Sequence, residues 1–222
     1  RNRDATSIQS ITGALHGLGE TIGLRPDLFE QNDDLRPGCL AETYLRKHGD
    51  SPILMPDVLA SLLEGISPIW GGGAILGDVG LGDAFRHSHT LGDGKGGGIV
   101  PFHLSAQEMV YSLIEPFAWA GVEVGDYDSL TGLPNLEHTL LFIDAGVIQL
   151  KRECSNDLDR AIEIRALSVA LLDLLAASLR EVLEAPEGAL PLTCVMEGAS
   201  LRIGAKIAEE KPEFSAEVSG IL

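Results

Sequence analysis

The sequence predicts a mainly α-helical fold with a small β element, of the α+β class, and three observations predict it. Apolar residues recur at helical spacing in most of the longer segments. Glycine is concentrated in residues 70–103, where short apolar pieces predict a small β-hairpin followed by a long irregular loop. The chain is 45% hydrophobic and 22% charged, as in a globular protein, and its 5% aromatic content leaves aliphatic side chains to form the core. We therefore predict a single domain over residues 1–222.

Four helices are predicted in the first half of the chain. Residues 5–23 carry an amphipathic pattern, and a short helix is predicted over 40–48. Another helix begins at Pro56, because proline is favoured in the first turn of a helix. A fourth helix covers 104–121, with Pro116 kinking or ending it.

The second half of the chain contains the strongest helical pattern. Residues 157–185 have an apolar residue on nearly every face, which predicts a central core helix. A final helix is predicted over 195–210, ending near Pro212. Before the 157–185 helix, residues 139–150 form an apolar run that we interpret as a buried strand or extended segment, interrupted by Asp144.

The balance of charge and cysteine narrows the partners and the compartment. The net charge is −17, which repels nucleic acid and anionic membranes, so we predict neither as a partner. The cysteines Cys39, Cys154 and Cys194 are odd in number and lack C-x-x-C spacing, which disfavours a zinc site or disulfide scaffold and suits a reducing cytosol. No signal peptide opens the chain, and no apolar run approaches the about 18 residues of a membrane span. We therefore predict a cytoplasmic protein.

A series of short motifs carries a family resemblance. In order they are Arg36-Pro37-Gly38, Pro68-Ile69-Trp70, Gly82-Asp83-Ala84-Phe85-Arg86-His87, Val100-Pro101-Phe102-His103, Tyr111-Ser112-Leu113-Ile114-Glu115-Pro116, Trp119-Ala120-Gly121, Leu130-Thr131-Gly132-Leu133-Pro134, Phe142-Ile143-Asp144-Ala145-Gly146-Val147 and Glu163-Ile164-Arg165-Ala166-Leu167. In these motifs the chain resembles the uncharacterised-domain family of bacterial and fungal uracil-catabolism proteins. Members of that family are longer, so the resemblance implies that residues 1–222 are the C-terminal part of a longer protein.

The resemblance implies a role in a pyrimidine breakdown route that opens the uracil ring while it is still attached to ribose. The implied ligand is a ribosyl-urea, in phosphorylated form, and the implied reaction is cleavage of its N-glycosidic bond with release of urea. The segments from Phe102 to Gln107 and Phe142-Ile143-Asp144 are also similar to those of the queuosine-salvage N-glycosidases, which implies a helical N-glycosidase-like domain. The chain departs from its family at Leu104, where a lysine is usual, and at 135–140, where Glu-Tyr-Arg-Asn-Gly-Gly is usual.

Asp144 is the predicted catalytic residue. It stands in an otherwise apolar run, where a carboxylate is costly to desolvate unless it has partners or loses its charge. Such a group can stabilise an oxocarbenium-like transition state and take a proton from attacking water. The structural alternative is a buried aspartate that caps a turn or pairs with an arginine.

Eight further residues are predicted to bind substrate. They are Trp70, Arg86, Phe102, His103, Gln107, Glu163, Arg165 and Glu197. Arg86, near His87, His89 and Lys95, would receive an anionic group; Gln107 and Glu163 would position the substrate. The structural alternatives are a solvated loop for Lys95, an ion-paired helix face for Glu163, and a helix start for Glu197.

Aromatic rings and histidines complete the predicted site. Trp70 and Phe102 would stack on a planar urea or base, the alternative being that they fill the core. His103 would hydrogen-bond the loop or the substrate. We predict no metal and no cofactor, because the histidines lack H-x-x-x-H or H-E-x-x-H spacing. The predicted partner is a nucleoside-like or ureide small molecule; a metal-dependent ureide amidohydrolase and a non-catalytic binding protein of the same pathway remain alternatives.

Overall fold

The computed structural model describes residues 2–49, 51–90, 92, 94, 96–151 and 156–222. These residues form α1 (Asn2–Leu24), α2 (Pro26–Phe29), β1 (Glu30–Gln31), β2 (Asp34–Leu35), α3 (Cys39–His48), β3 (Ile53–Leu54), α4 (Met55–Ile66), β4 (Ile75–Leu76), β5 (Val79–Gly80), β6 (Ala84–Arg86), β7 (Ile99–Pro101), α5 (Leu104–Trp119), β8 (Val124–Gly125), α6 (Leu136–Asp144), α7 (Asp157–Leu183), α8 (Leu192–Val195), α9 (Leu201–Glu210) and α10 (Pro212–Ser219). Short 3-10 turns and one π-helical turn, Met196–Ser200, lie between them. The mainly α prediction with a small β element is confirmed.

The chain divides into two compact units. Unit 1 comprises Arg1–Ala84 and Ser105–Ser129, and unit 2 comprises Phe85–Leu104 and Leu130–Leu222. The prediction of one domain over 1–222 stays a prediction. Among the described helices, none is long and apolar enough to cross a membrane.

Unit 1 is a helical core with small two-stranded sheets at its edges. Its buried apolar side chains come from α2, α3, α4 and α5 and include Phe29, Cys39, Tyr44, Met55, Val58, Leu62, Ile66, Ala106, Val110 and Phe117. α4 has Pro56 and Asp57 in its first turn, as predicted. Proline has no N–H to leave unpaired there, and the aspartate complements the positive end of the helix dipole. β3 pairs with β8 in parallel, with Ile53 opposite Val124. The predicted glycine-rich hairpin is confirmed as β4 and β5, with Leu76 opposite Val79.

Unit 2 is built around α6, which packs against α7, α9 and α10. Leu140, Ile207 and Val218 form a buried cluster there, together with partly buried apolar neighbours. Gly204 lets α9 approach α6, since a Cβ at this position would stand 2.0 Å from the Glu137 carbonyl oxygen. The close contact of two backbones therefore fixes how α6 and α9 pack.

The predicted strand over 139–150 is wrong, because most of this segment is the helix α6 and the turn after it. Asn135 caps the helix by accepting a hydrogen bond from the His138 N–H at 3.1 Å. Gly146, with φ +71°, closes its C-terminal end. The apolar run around Leu140 has no clear helical period because α6 is covered on several sides. A short apolar run of this kind does not distinguish a strand from a buried helix.

The other helical predictions need smaller corrections. The helix predicted over 157–185 is confirmed as α7, but it is not buried all round as a central core helix would be, since Leu174 and Val182 are 63% and 77% exposed. The final predicted helix is interrupted by the π-helical turn but ends near Pro212 as predicted, at Glu210; Pro212 then begins a further helix, α10.

Candidate functional site

Described residues of the segment 85–104 in unit 2 contact the N-terminal part of α7. The side chains at this junction, called here the loop–helix cluster, are Phe85, Arg86, His87, Ser88, Phe102, Asp159, Glu163 and Arg165. α7 begins here because Asn156 accepts a hydrogen bond from the Leu158 N–H at 3.1 Å, and because two aspartates in the first turn complement the helix dipole.

Arg165 is the buried cation of the loop–helix cluster. Its guanidinium carbon lies 4.1 Å from the centre of the Phe102 ring and 5.5 Å from that of Phe85, and the residue is 8% exposed. A cation over an aromatic face is stabilised by about 0.5–2 kcal/mol. Phe102 is itself buried and packs on this guanidinium, so its predicted stacking on a ligand stays a prediction.

Asp159 fastens the loop to the helix. Its carboxylate accepts the backbone N–H of Ser88 at 3.0 Å and a short hydrogen bond from the Ser88 hydroxyl. The hydroxyl first, and then the backbone N–H, hold the pKa of Asp159 below its usual range. Asp159 is therefore an ionised anchor whose hydrogen-bonding capacity is used by the loop.

Glu163 lies one turn further along α7 and meets His87. His87 Nε2 is 3.3 Å from Glu163 Oε1. The other ring nitrogen, Nδ1, accepts the backbone N–H of His89 at 3.2 Å, and a backbone amide can only donate. Because Nδ1 accepts, Nε2 is the ring nitrogen that carries the proton donated to Glu163. The His87 side chain is 9% exposed and that of Glu163 is 56% exposed. The Glu163 carboxylate therefore faces solvent, while the ring that orients it is largely shielded from solvent.

Arg86 and the backbone of His87 tie the two ends of the loop together. Arg86 Nη1 donates to the Gly97 carbonyl at 2.9 Å, and the His87 N–H donates to the Gly98 carbonyl at 2.9 Å. A guanidinium has five N–H donors, so Arg86, which is exposed, retains donors for an anion. Lys95, which was predicted to share this positive group, lies outside the described residues.

The setting predicted for Asp144 is wrong. Asp144 is the last residue of α6, is exposed, and forms an ion pair with Lys211. Because the apolar residues beside it turn inward on the helix while Asp144 faces water, it carries no large desolvation cost. Its catalytic role stays a prediction, but without the buried carboxylate that motivated it.

The remaining predicted residues lie in different places. Trp70 and Gln107 belong to unit 1, where Trp70 is half-buried and Gln107 is buried on α5. In unit 2, His103 has a left-handed φ of +49°, an unfavourable conformation for a non-glycine residue, between Phe102 and α5. Glu197 is exposed in the π-helical turn. The loop–helix cluster thus unites Arg86, Phe102, Glu163 and Arg165 of the predicted set.

Unit 2 also contains a buried polar group that the sequence did not reveal as unusual. His138 is 0% exposed, and neither ring nitrogen has a hydrogen-bond partner in the described part of the chain. Burial lowers the pKa of His138 to about 4, so its ring is neutral at physiological pH. The neighbouring hydroxyl of Thr139 is satisfied, lying 3.0 Å from the Ser168 hydroxyl.

Asp159, Ser88 and Phe85 were missed as members of the site. The spacing of Asp159 and Glu163, four residues apart on one predicted helix, was an available signal that both face the same side. Nothing in the sequence indicates that Asp159 contacts Ser88, 71 positions earlier, or that Glu163 contacts His87, 76 positions earlier. Over the described residues, no group of three histidine, cysteine or acidic side chains is arranged to hold a metal ion. Cys39 is buried and Cys194 exposed, and Cys154 lies outside those residues.

Comparison with known proteins finds a family and one curated relative. A family model described as "Protein of unknown function (DUF1688)" matches residues 4–217. Protein urg3 of Schizosaccharomyces pombe (strain 972 / ATCC 24843) is 36% identical over 152 residues, which are 64% of this chain and 36% of the relative. The chain therefore spans little more than a third of that relative's length. No solved structure matches the chain.

Proposed function

We propose that this chain, which belongs to the family described as "Protein of unknown function (DUF1688)", acts in pyrimidine breakdown and hydrolyses the C–N bond between a ribose and a urea or base. Its motifs resemble those of uracil-catabolism proteins, which supports the pathway. One observation carries the chemical assignment: Glu163 is a solvent-facing carboxylate oriented by His87, whose side chain is 9% exposed. We place the reaction in the loop–helix cluster of unit 2 and in the cytoplasm.

The cationic side chains of the cluster supply the binding part of the proposal. The chain carries a net charge of −17, so an anionic ligand needs a local cation to be held against the overall field. Arg86 is exposed at the loop and is the group that receives a phosphate or other anion. Arg165, buried against Phe102, fixes the loop on which Arg86 stands. A small nucleoside-like or ureide ligand with a phosphate fits these groups.

The reaction requires two proton movements. Water forms a bond to C1′ of the ribose as the C1′–N bond breaks. One proton of this water goes to a carboxylate. The departing nitrogen of urea takes a proton from solvent, to which the carboxylate then releases its own. The transition state resembles an oxocarbenium ion, which an ionised carboxylate stabilises. Because His87 donates to Oε1 of Glu163, the carboxylate is held in place, and Oε2 is the oxygen that takes the proton from water.

Asp144 is the competing carboxylate. Its ion pair with Lys211 links the end of α6 to the segment that joins α9 and α10. This supports a structural role, in which the pair fastens two helical segments at the surface of unit 2. We therefore assign the acid–base role to Glu163 rather than to Asp144.

The test compares three matched carboxylate-to-amide variants. Ribosyl-urea and its 5′-phosphate are offered to the wild-type chain, and released urea is measured. Glu163→Gln should lower the rate by about 10²–10⁴-fold, the usual size of a general acid–base contribution. Asp144→Asn and Glu181→Gln, an exposed position on the same helix as Glu163, should leave the rate near wild type. Circular dichroism of each variant checks that the helices are retained.

Three outcomes contradict parts of the proposal. Full activity in Glu163→Gln removes Glu163 from the mechanism. Loss of activity in a well-folded Asp144→Asn variant returns the role to Asp144. No urea from the wild-type chain with either ribosyl-urea rejects the hydrolase assignment altogether.

A non-catalytic binding protein is the second candidate, and the departures from the family pattern favour it. At 135–140, where the family usually has charged and polar residues, this chain uses Asn135 to cap α6 and buries His138 and Leu140 completely. These positions serve the fold rather than a ligand. Calorimetric binding of ribosyl-urea without release of urea identifies this function. Stoichiometric zinc in the purified protein, together with ureide hydrolysis, would instead identify a metal-dependent amidohydrolase.

A further inference from the structure

Unit 1 contains a cleft of about 620 Å³ that has no part in the loop–helix cluster. It lies between the turn that follows α4 and the β4–β5 hairpin, and its lining includes Ser67, Trp70, Asp78 and the glycines at 71–73. This volume is within the range of about 300–1,000 Å³ that is typical of small-molecule sites. The cleft is therefore large enough for a nucleobase or a nucleoside.

Two glycines hold the walls of the cleft in place. A Cβ on Gly73 would stand 1.6 Å from the Gly82 carbonyl oxygen, so the two backbones touch where the hairpin returns. Gly82 has φ +63°, and a Cβ there would stand 3.2 Å from the Trp70 carbonyl oxygen. The Ala74 N–H donates to the Ala84 carbonyl at 2.6 Å and closes the base of the hairpin. The position of Trp70 relative to the hairpin is thus fixed by backbone contacts before any ligand binds.

The lining combines apolar surface with one negative charge. Ile75 and Val79 line the cleft yet are 65% and 63% exposed, so apolar area is left in water there. Trp70 is half-buried and is the aromatic residue among the described lining residues. Asp78, at the hairpin turn, is the charged residue among the described lining residues. The negative charge of Asp78 disfavours an anionic ligand. An uncharged planar ligand can cover the apolar area without a charge of its own having to be desolvated.

We propose that this cleft binds an uncharged, planar nitrogen heterocycle that stacks on Trp70 and donates an N–H to the carboxylate of Asp78. Stacking of a base on an aromatic side chain is favourable for every base, because every base has a π face. A charged acceptor strengthens the hydrogen bond and selects ligands that carry N–H donors. Phosphate-bearing ligands belong to the cations of the loop–helix cluster, so the two sites differ in the charge they accept. The proposal does not depend on the hydrolase assignment, because it concerns binding by other residues in unit 1.

Intrinsic fluorescence provides the test, because the chain has two tryptophans. Trp119 is 80% exposed at the end of α5, so Trp119→Phe leaves Trp70 as the single reporter with little structural cost. Uracil and cytosine, as free bases, should quench Trp70 in a saturable manner. Ribose 5-phosphate should not quench it. In the reciprocal Trp70→Phe variant, the same bases should cause no saturable change in Trp119.

Two further variants separate binding in the cleft from quenching elsewhere, each in the Trp119→Phe background. Gly71 lies outside the left-handed region and a Cβ there meets nothing within 4 Å, so Gly71→Leu fills open space in the cleft and should abolish saturable quenching. Gly19→Leu adds the same side chain to open space on α1 and should leave quenching unchanged. Asp78→Ala should weaken binding by about tenfold or more, since it removes the charged acceptor of the proposed hydrogen bond.

The proposal is overturned if neither base gives saturable quenching, if ribose 5-phosphate competes with the bases, or if Gly71→Leu binds them as the parent does. Turnover of ribosyl-urea is measured separately and has no bearing on these outcomes.

Discussion

His138 should make the stability of this protein depend on pH, and replacing it should remove that dependence. Its ring is fully buried without a hydrogen-bond partner in the described part of the chain, and burial lowers its pKa to about 4 from an ordinary value of 6.5. The neutral ring is retained in the folded state, while the unfolded chain takes up a proton once the pH falls below about 6.5. Stability is therefore lost as the pH falls from about 6.5 towards 4.

The size of the effect follows from the two pKa values. A difference of about 2.5 units, at 1.36 kcal/mol per unit, corresponds to about 3 kcal/mol at low pH. A second contribution is independent of pH, because a buried polar atom without a partner costs about 1–3 kcal/mol. Leucine is close to histidine in volume and has no polar atom. We therefore expect His138→Leu to be at least as stable as wild type at pH 8 and clearly more stable at pH 4.5.

Urea unfolding followed by circular dichroism at 222 nm, repeated from pH 4.5 to pH 8, measures this effect. The informative quantity is the difference in unfolding free energy between His138→Leu and wild type at each pH, because other titrating groups cancel in it. His16→Leu is the matched control, since it makes the same exchange at an exposed site on α1, outside unit 2. A difference for His138→Leu that is constant over this range, or a variant less stable than wild type at every pH, would refute the reasoning.

Three further variants test other contacts. Gly204→Ala should destabilise unit 2 by about 1–3 kcal/mol, since its Cβ would overlap the Glu137 carbonyl and force α9 away from α6; thermal unfolding measures it. A double-mutant cycle with Arg165→Met and Phe102→Leu should give a coupling free energy of about 1 kcal/mol, and a coupling near zero would show that the guanidinium and ring do not interact. Asn135→Ala should cost about 1 kcal/mol through loss of the α6 cap, whereas Asn135→Ser should retain most of the stability; equal losses in both would argue against capping.

The sequence predicted helices correctly where the signal lies within the helix itself. The 157–185 helix and the helix beginning at Pro56 follow from apolar spacing and from proline in a first turn, which are local properties. The prediction for 139–150 was wrong because other helices pack against several sides of α6. Its apolar residues therefore lie on several faces, and the sequence shows no helical period. The error about Asp144 followed directly, since a strand would have buried a side chain that the helix turns towards water.

The candidate site was only partly predictable because its pairs are distant in sequence. Glu163 and Arg165 were identified from a motif, but their contacts to His87 and Phe102 depend on how the loop folds back on α7. His138 gave no signal at all, because the absence of a hydrogen-bond partner is a property of the packed structure. Local patterns thus predict which residues share a face, and tertiary packing decides what that face meets.

The way in which the loop is attached to α7 bears on how a ligand could enter the loop–helix cluster. Two of the attachments, Ser88 to Asp159 and His87 to Glu163, are hydrogen bonds to carboxylates, and the third is the packing of Arg165 on aromatic rings. Hydrogen bonds at a partly exposed surface can be exchanged for bonds to water, so even a bond to a charged group contributes only about 1.5–3 kcal/mol net. Opening the loop therefore costs much less than unfolding α7, whose apolar side is buried. Among the described loop residues, His87 is the one that holds Glu163, and the Glu163 side chain is 56% exposed, so a ligand reaches Oε2 without disturbing the helix that positions it.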